Sequence, residues 1–145
     1  MMNRPYMICH ILSALNGKIS GSFMGTESSR FMGGEDARIR TAYHADAWLY
    51  GTTTTKEFTG FQRPVLDGSV TSVPEGDFVA RRNAAFYYVS VDTEGEIGWE
   101  SATFKRAGCP GAHIIEVVTG ATSVSYLAYL REHRISYIVA GEAAL

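Results

Sequence analysis

DAWLYGTTTTKEF, residues 46–58, is the stretch whose reading decides the fold. Ala47-Trp48-Leu49-Tyr50 is a short apolar run ended by Gly51, and Thr52 opens a polar stretch that closes on Phe58. Aromatic residues followed by glycine suit a strand and its exit. A short second helix is expected over residues 52–58, with a threonine hydroxyl as its cap. A strand, a glycine turn and a helix N-terminus in that order give backbone N–H groups that can hold a phosphate. The plainer alternative is a turn in which threonine only caps, and composition alone favours it. No Walker-type lysine and no G-x-G-x-x-G accompany the turn, so neither nucleotide fingerprint is met.

Working outward, residues 6–15 (YMICHILSAL) are almost continuously apolar rather than alternating. That pattern predicts a strand buried on both faces, central in a mostly parallel sheet, with Cys9 as a buried reduced thiol. Asn16-Gly17 turns the chain, and Gly21, Gly25, Ser28 and Ser29 keep the next residues in a loop. Gly33-Gly34 followed by Glu35 and Asp36 reads as a helix start, with acids in the first turn and the helix running to His44. Downstream, Gly60, Pro64, Gly68, Pro74 and Gly76 make residues 59–82 a long loop. Strands follow at 84–91, where Phe86-Tyr87-Tyr88 is core, and at 112–118, with residues 92–110 mostly loop between them. Residues 122–134 form a helix with Val124, Leu127, Ala128 and Leu130 on its apolar flank, and residues 136–140 form a fifth strand. Residues 142–145 look like the first turn of a further helix. Strands alternating with helices predict an α/β domain with a largely parallel sheet. A helix that has only begun at Leu145 implies an incomplete domain, truncated at its C-terminus.

The chain has 145 residues, enough for one domain with its own core. Thirteen basic against fifteen acidic residues give a formal charge of −2, so no basic face for nucleic acid is expected. The N-terminal apolar run is too short to span a bilayer and lacks a small-residue cleavage site, which makes the cytoplasm the expected compartment. His10, His44, His113 and His133 show no metal-ligand spacing, so core or surface roles are expected and no metal. Ser28 and Ser29 are not in a nucleophile elbow. Arg81-Arg82 reads as a charged gatekeeper before an apolar strand. Glu35-Asp36 reads as helix-dipole charge.

Three segments together resemble the reductase domain of the riboflavin-biosynthesis deaminase-reductase, which shares the dihydrofolate reductase fold. They are Ser13-Ala14-Leu15-Asn16-Gly17-Lys18-Ile19, then Ser29, Phe31 and Gly34-Glu35-Asp36-Ala37-Arg38, then Asp46-Ala47-Trp48-Leu49-Tyr50-Gly51-Thr52-Thr53-Thr54. Val89 to Thr93 is similar to the end of the family's third strand. The resemblance implies a three-layer αβα fold with a mostly parallel central sheet, homodimerisation, and hydride transfer from NADPH. It implies cofactor contacts at Ser13, Ala14, Phe31, Thr54 and Thr93, and substrate contacts at Asn16 and Ser29. No catalytic residue is implied. The implied substrate is 5-amino-6-(5-phosphoribosylamino)uracil, reduced to its ribitylamino product. The chain departs from the family where Asn16 replaces an aspartate, where Ala42 stands near an expected arginine, and where a D-D-P segment is missing. The family's later Glu-Gly-Gly motif has no counterpart in these residues. The departures motivate two alternatives, a reductase of another pterin, imine or carbonyl substrate, and an inactive fragment.

Overall fold

The computed structural model describes residues 4–106 and 109–143. Along them come a 3-10 turn (Ser22–Gly25), α1 (Glu27–Ala42), β1 (Ala47–Gly51), α2 (Thr52–Phe58), β2 (Tyr87–Val91), β3 (Thr103–Arg106), β4 (Cys109–Val118), α3 (Val124–Glu132) and β5 (Ser136–Val139). The chain is α/β, with a five-stranded, mostly parallel sheet and flanking helices. None of the described helices is long and apolar enough to cross a membrane. Two compact units divide the chain, Met1–Ala45 and Asp46–Leu145.

The second unit is built on β4. One of its edges pairs in parallel with β2, setting Tyr88 opposite Ile114 and Ser90 opposite Glu116. Its other edge is shared, with β3 antiparallel along the first half and β5 parallel along the second. Strand β1 pairs with the far side of β2. On one face the aligned side chains Tyr88, Ser90, Ile114, Glu116, Val118 and Tyr137 are all buried. Tyr88 centres an aromatic cluster there, 4.1 Å from the Phe104 ring and 6.0 Å from Trp99. Helices α2 and α3 both close over this face: Thr55 Oγ1 is 3.0 Å from the Tyr88 hydroxyl, and the Tyr129 hydroxyl donates to Trp99 O at 2.9 Å. Two glycines are required by this packing. A Cβ on Gly98 would lie 2.6 Å from the Arg63 backbone, and one on Gly95, at φ +70, would meet the Tyr126 ring at 2.8 Å.

Helix α2 spans the expected residues, but no threonine hydroxyl caps it. Gly51 is the N-cap, and Thr52 Oγ1 instead donates to Val91 O at 2.7 Å, tying α2 to the end of β2. The long loop at 59–82 is present, and Phe78 within it exchanges two 2.9 Å backbone hydrogen bonds with Tyr137, covering the outer edge of β5. Within the expected 92–110 loop lies β3, and β4 begins ahead of the expected strand, at Cys109. The buried stripe of α3 is Tyr126, Tyr129 and Leu130, while Val124 is exposed. Each tyrosine buries its ring there because its hydroxyl finds a partner on the loop after β2. Glu142 and Ala143 lie in a bend with no helical turn; the rest of the expected final helix lies outside the described residues.

The first unit departs further from expectation. Residues 6–15 form no strand: Tyr6 is 90% exposed and Leu15 fully so, and Cys9 is an exposed free thiol. A strand needs partners for its N–H and C=O groups, and none pairs with this run among the described residues. Helix α1 starts at Glu27, well ahead of the Gly33-Gly34 pair, because Thr26 caps it by accepting from Ser29 N at 3.2 Å. Gly33 and Gly34 are therefore helical, and Glu35 and Asp36 sit mid-helix rather than in a first turn.

Candidate functional site

All four parallel strands β1, β2, β4 and β5 end at one rim of the sheet, and hydrogen bonds link their exits. Thr52 Oγ1 reaches Val91 O, Thr122 Oγ1 donates to Thr93 O at 3.3 Å, and Gly120 N donates to Gly141 O at 3.1 Å. The rim is thus a row of glycine and threonine. Its strands follow one another in a single direction, so no switch-point crevice of the doubly wound kind opens between them.

Two of the expected cofactor residues belong to this rim. Thr54 lies in the first turn of α2, half-buried, and Thr93 lies just past β2, also half-buried. Gly51 pairs with Val91 in register, so both residues are at the same end of neighbouring strands. Ser13, Ala14, Phe31, Asn16 and Ser29 belong to the first unit. Ser13 and Ala14 were expected at the end of a strand; that expectation is corrected, because Ala14 opens a turn in which its N–H donates to Lys18 O at 2.8 Å. Asn16 Oδ1 accepts from Lys18 N in the same turn at 3.2 Å. Ser29 is in the first turn of α1, its hydroxyl donating to Thr26 O at 2.9 Å, and Phe31 is 70% exposed on that helix.

A buried polar web behind the rim was not anticipated. The Asp92 carboxylate accepts at Oδ2 from Glu96 N at 2.8 Å and Ile97 N at 3.0 Å. The Tyr126 hydroxyl lies 3.0 Å from Ile97 O and 3.2 Å from Asp92 Oδ2, and its one proton serves one of them at a time. Glu116, wholly buried, accepts at Oε1 from Trp99 Nε1 at 2.5 Å. Among the described residues Asp92 Oδ1, Glu116 Oε2 and Thr119 Oγ1 have no partner. Burial, and then the Asp92 charge, hold the Glu116 carboxyl well above the usual carboxylate range. Burial also pushes the Tyr126, Tyr88 and Tyr129 hydroxyls up. Enclosed in this way, the web pins the loop after β2 beneath α3. A glutamate inside the apolar run HIIEVV was the signal available in the sequence.

The histidines take separate roles. His113 Nε2 is 2.8 Å from Ser136 Oγ in the core, and burial lowers its pKa. His133 Nδ1 lies 2.9 Å from Tyr129 O in its own helix. His10 Nε2 lies 2.8 Å from Asp36 Oδ1, and its Nδ1 lies 3.0 Å from the Tyr43 hydroxyl. Among the described residues no group of three His, Cys, Asp or Glu side chains could hold a metal ion. Two clefts, of about 260 and 180 Å³, flank Trp99; Phe58, Phe104 and Lys105 line the larger and His133 the smaller. None of the expected site residues lines either of them.

These features define an α/β protein with a glycine- and threonine-rich rim at the ends of its parallel strands. No family model matches the chain, and neither curated proteins nor solved structures show significant similarity to it.

Proposed function

We propose that the protein is an NADPH-dependent reductase of dihydrofolate-reductase-like fold, acting on 5-amino-6-(5-phosphoribosylamino)uracil as the riboflavin-pathway reductase does. One observation carries this reading. The segment from Asp46 to Thr54 builds β1 and opens α2, and the segment from Val89 to Thr93 builds the end of β2, with Gly51 opposite Val91. The two motifs are therefore neighbours at one end of a parallel sheet.

The rim suits the polar groups of a dinucleotide. Gly51 caps α2 without a side chain, so no cap side chain takes the first amides of the helix. Thr54 and Thr93 would contact the cofactor from there. NADPH, when bound, supplies the hydride; the chain's own residues bind, orient and exclude water. A cytoplasmic homodimer belongs to the same reading.

Titrating NADPH while following emission from Trp48 and Trp99 tests the proposal. A saturable change is expected, and its absence up to about 1 mM cofactor would overturn the reading. Turnover of the ribosylamino-pyrimidine phosphate beside dihydrofolate then separates the named substrate from a pterin.

A further inference from the structure

Asp36 and Arg40 of α1 and Tyr43 at its C-cap are spaced at i, i+4 and i+7, so they share one stripe of the helix. His10 lies against that stripe and uses both ring nitrogens, Nε2 toward Asp36 at 2.8 Å and Nδ1 toward the Tyr43 hydroxyl at 3.0 Å. Arg40 holds the second carboxylate oxygen of Asp36 at 3.2 Å. A carboxylate only accepts, so the ring must carry a hydrogen on Nε2. In the neutral ring Nδ1 is then the acceptor for the phenolic proton. An acid that fixes a tautomer, a histidine, and a hydroxyl aligned on its far nitrogen form a line along which a proton can move to and from that hydroxyl.

Attaching residues 4–21 to α1 would need only one of these bonds. His113 and His133 show the contrast, since neither joins an acid to a hydroxyl. Access also differs along the line. The His10 and Asp36 side chains are 20% and 18% exposed, whereas Tyr43 is 39% exposed and can meet a substrate.

We propose that Asp36, His10 and Tyr43 form a proton relay whose terminal hydroxyl, on Tyr43, protonates the nitrogen or oxygen of a small imine or carbonyl substrate. As hydride reaches the carbon of the C=N or C=O group, the Tyr43 O–H bond breaks and the product N–H or O–H bond forms. His10 Nδ1, the acceptor in the neutral ring, takes a proton from solvent and passes it to the phenolate oxygen, which restores the Tyr43 O–H bond while the Nε2 hydrogen stays on Asp36. The substrate class and the hydride source, NADPH, rest on the reductase reading; the relay rests only on the side chains of the first unit.

Acetylimidazole, which acetylates phenols, tests the relay without any substrate when labelling is mapped by peptide mass spectrometry. Tyr6 is 90% exposed and provides an internal standard. Exposure alone would make Tyr6 the faster site. The relay makes Tyr43 faster, by at least about tenfold near pH 8. His10→Gln should bring Tyr43 down to the Tyr6 rate or below it. If Tyr43 in the native chain reacts no faster than Tyr6, the relay is overturned, whether or not the variant folds. The second readout is NADPH oxidation with the imine substrate. Tyr43→Phe should lower kcat by about 10²-fold and flatten its pH profile, leaving NADPH affinity unchanged. Unaltered turnover would overturn the catalytic use of Tyr43. Failure of NADPH to bind would overturn the reductase reading and the substrate class together, and the tyrosine contrast would still judge the relay.

Discussion

The two units of this chain contain similar apolar sequence and use it in opposite ways. HIIEVV at 113–118 and YMICHIL at 6–12 are both near-continuous apolar runs. The first lies in β4 with hydrogen-bonded strands on both edges, and Ile114 and Val118 are completely buried. The second has no strand partner among the described residues, and Tyr6, Met7 and Ile11 are exposed. No described residue of the first unit is buried. An apolar run specifies the capacity to be buried; whether it becomes a strand depends on partners for its backbone groups.

The sharpest test of that contrast deletes one aromatic ring from each unit. Tyr88→Ala removes a fully buried ring that touches Phe104, Trp99 and Tyr50. It should cost about 3–5 kcal/mol in urea unfolding. Phe31→Ala removes a ring of comparable size that is 70% exposed, and should change stability by less than about 0.5 kcal/mol. Similar losses at the two positions would mean that Phe31 is packed in solution and would remove the distinction.

Sequence reasoning located what local chemistry decides. α2 and β5 were legible because glycine, threonine and a short apolar run fix such elements within a few residues. β3 was not, because Thr103-Phe104-Lys105-Arg106 gains its strand character from pairing with β4, a tertiary partner. The buried face of α3 differs from expectation for a related reason. Val124 and Leu127 look more apolar than tyrosine, but Tyr126 and Tyr129 are buried by hydroxyl partners that lie about thirty residues away. Of the rim, the strand ends at Gly51 and Val91 were visible in the sequence as apolar runs closing on glycine and on a polar stretch. The Asp36–His10–Tyr43 line was not, since His10 is 26 residues from Asp36 and carries no spacing signature.

Glu116 extends the comparison to pH. Its carboxyl is raised in the folded state and ordinary in the unfolded chain. Its contribution to stability is therefore complete below the ordinary glutamate range and is lost as pH rises toward the folded value, because the unfolded chain ionises first. The slope is at most about 1.4 kcal/mol per pH unit. Glu116→Gln retains an acceptor for Trp99 Nε1 and cannot ionise. The difference in stability between native protein and variant should then grow in the variant's favour as pH rises above the acid range. Glu96, lowered chiefly by its hydrogen bond from Lys56, acts in the opposite sense but is common to both proteins and cancels. Parallel pH profiles would mean that Glu116 is hydrated, and the second unit would lose its dry interior.

The smallest effect is a gain in the first unit. Gly34 lies inside α1, and a Cβ there would have nothing within 4 Å. Alanine at a compatible helical position restricts the unfolded chain without adding strain, so Gly34→Ala should stabilise α1 by about 0.5–1 kcal/mol. Amide exchange measures this locally: protection should rise along α1 while β4 stays unchanged. Gly95→Ala supplies the opposite sign from the second unit, since the new Cβ would sit 2.8 Å from the Tyr126 ring at positive φ. If Gly34→Ala slowed exchange in β4 as strongly as in α1, the two units would unfold as one, and the contrast between them would be one of surface alone.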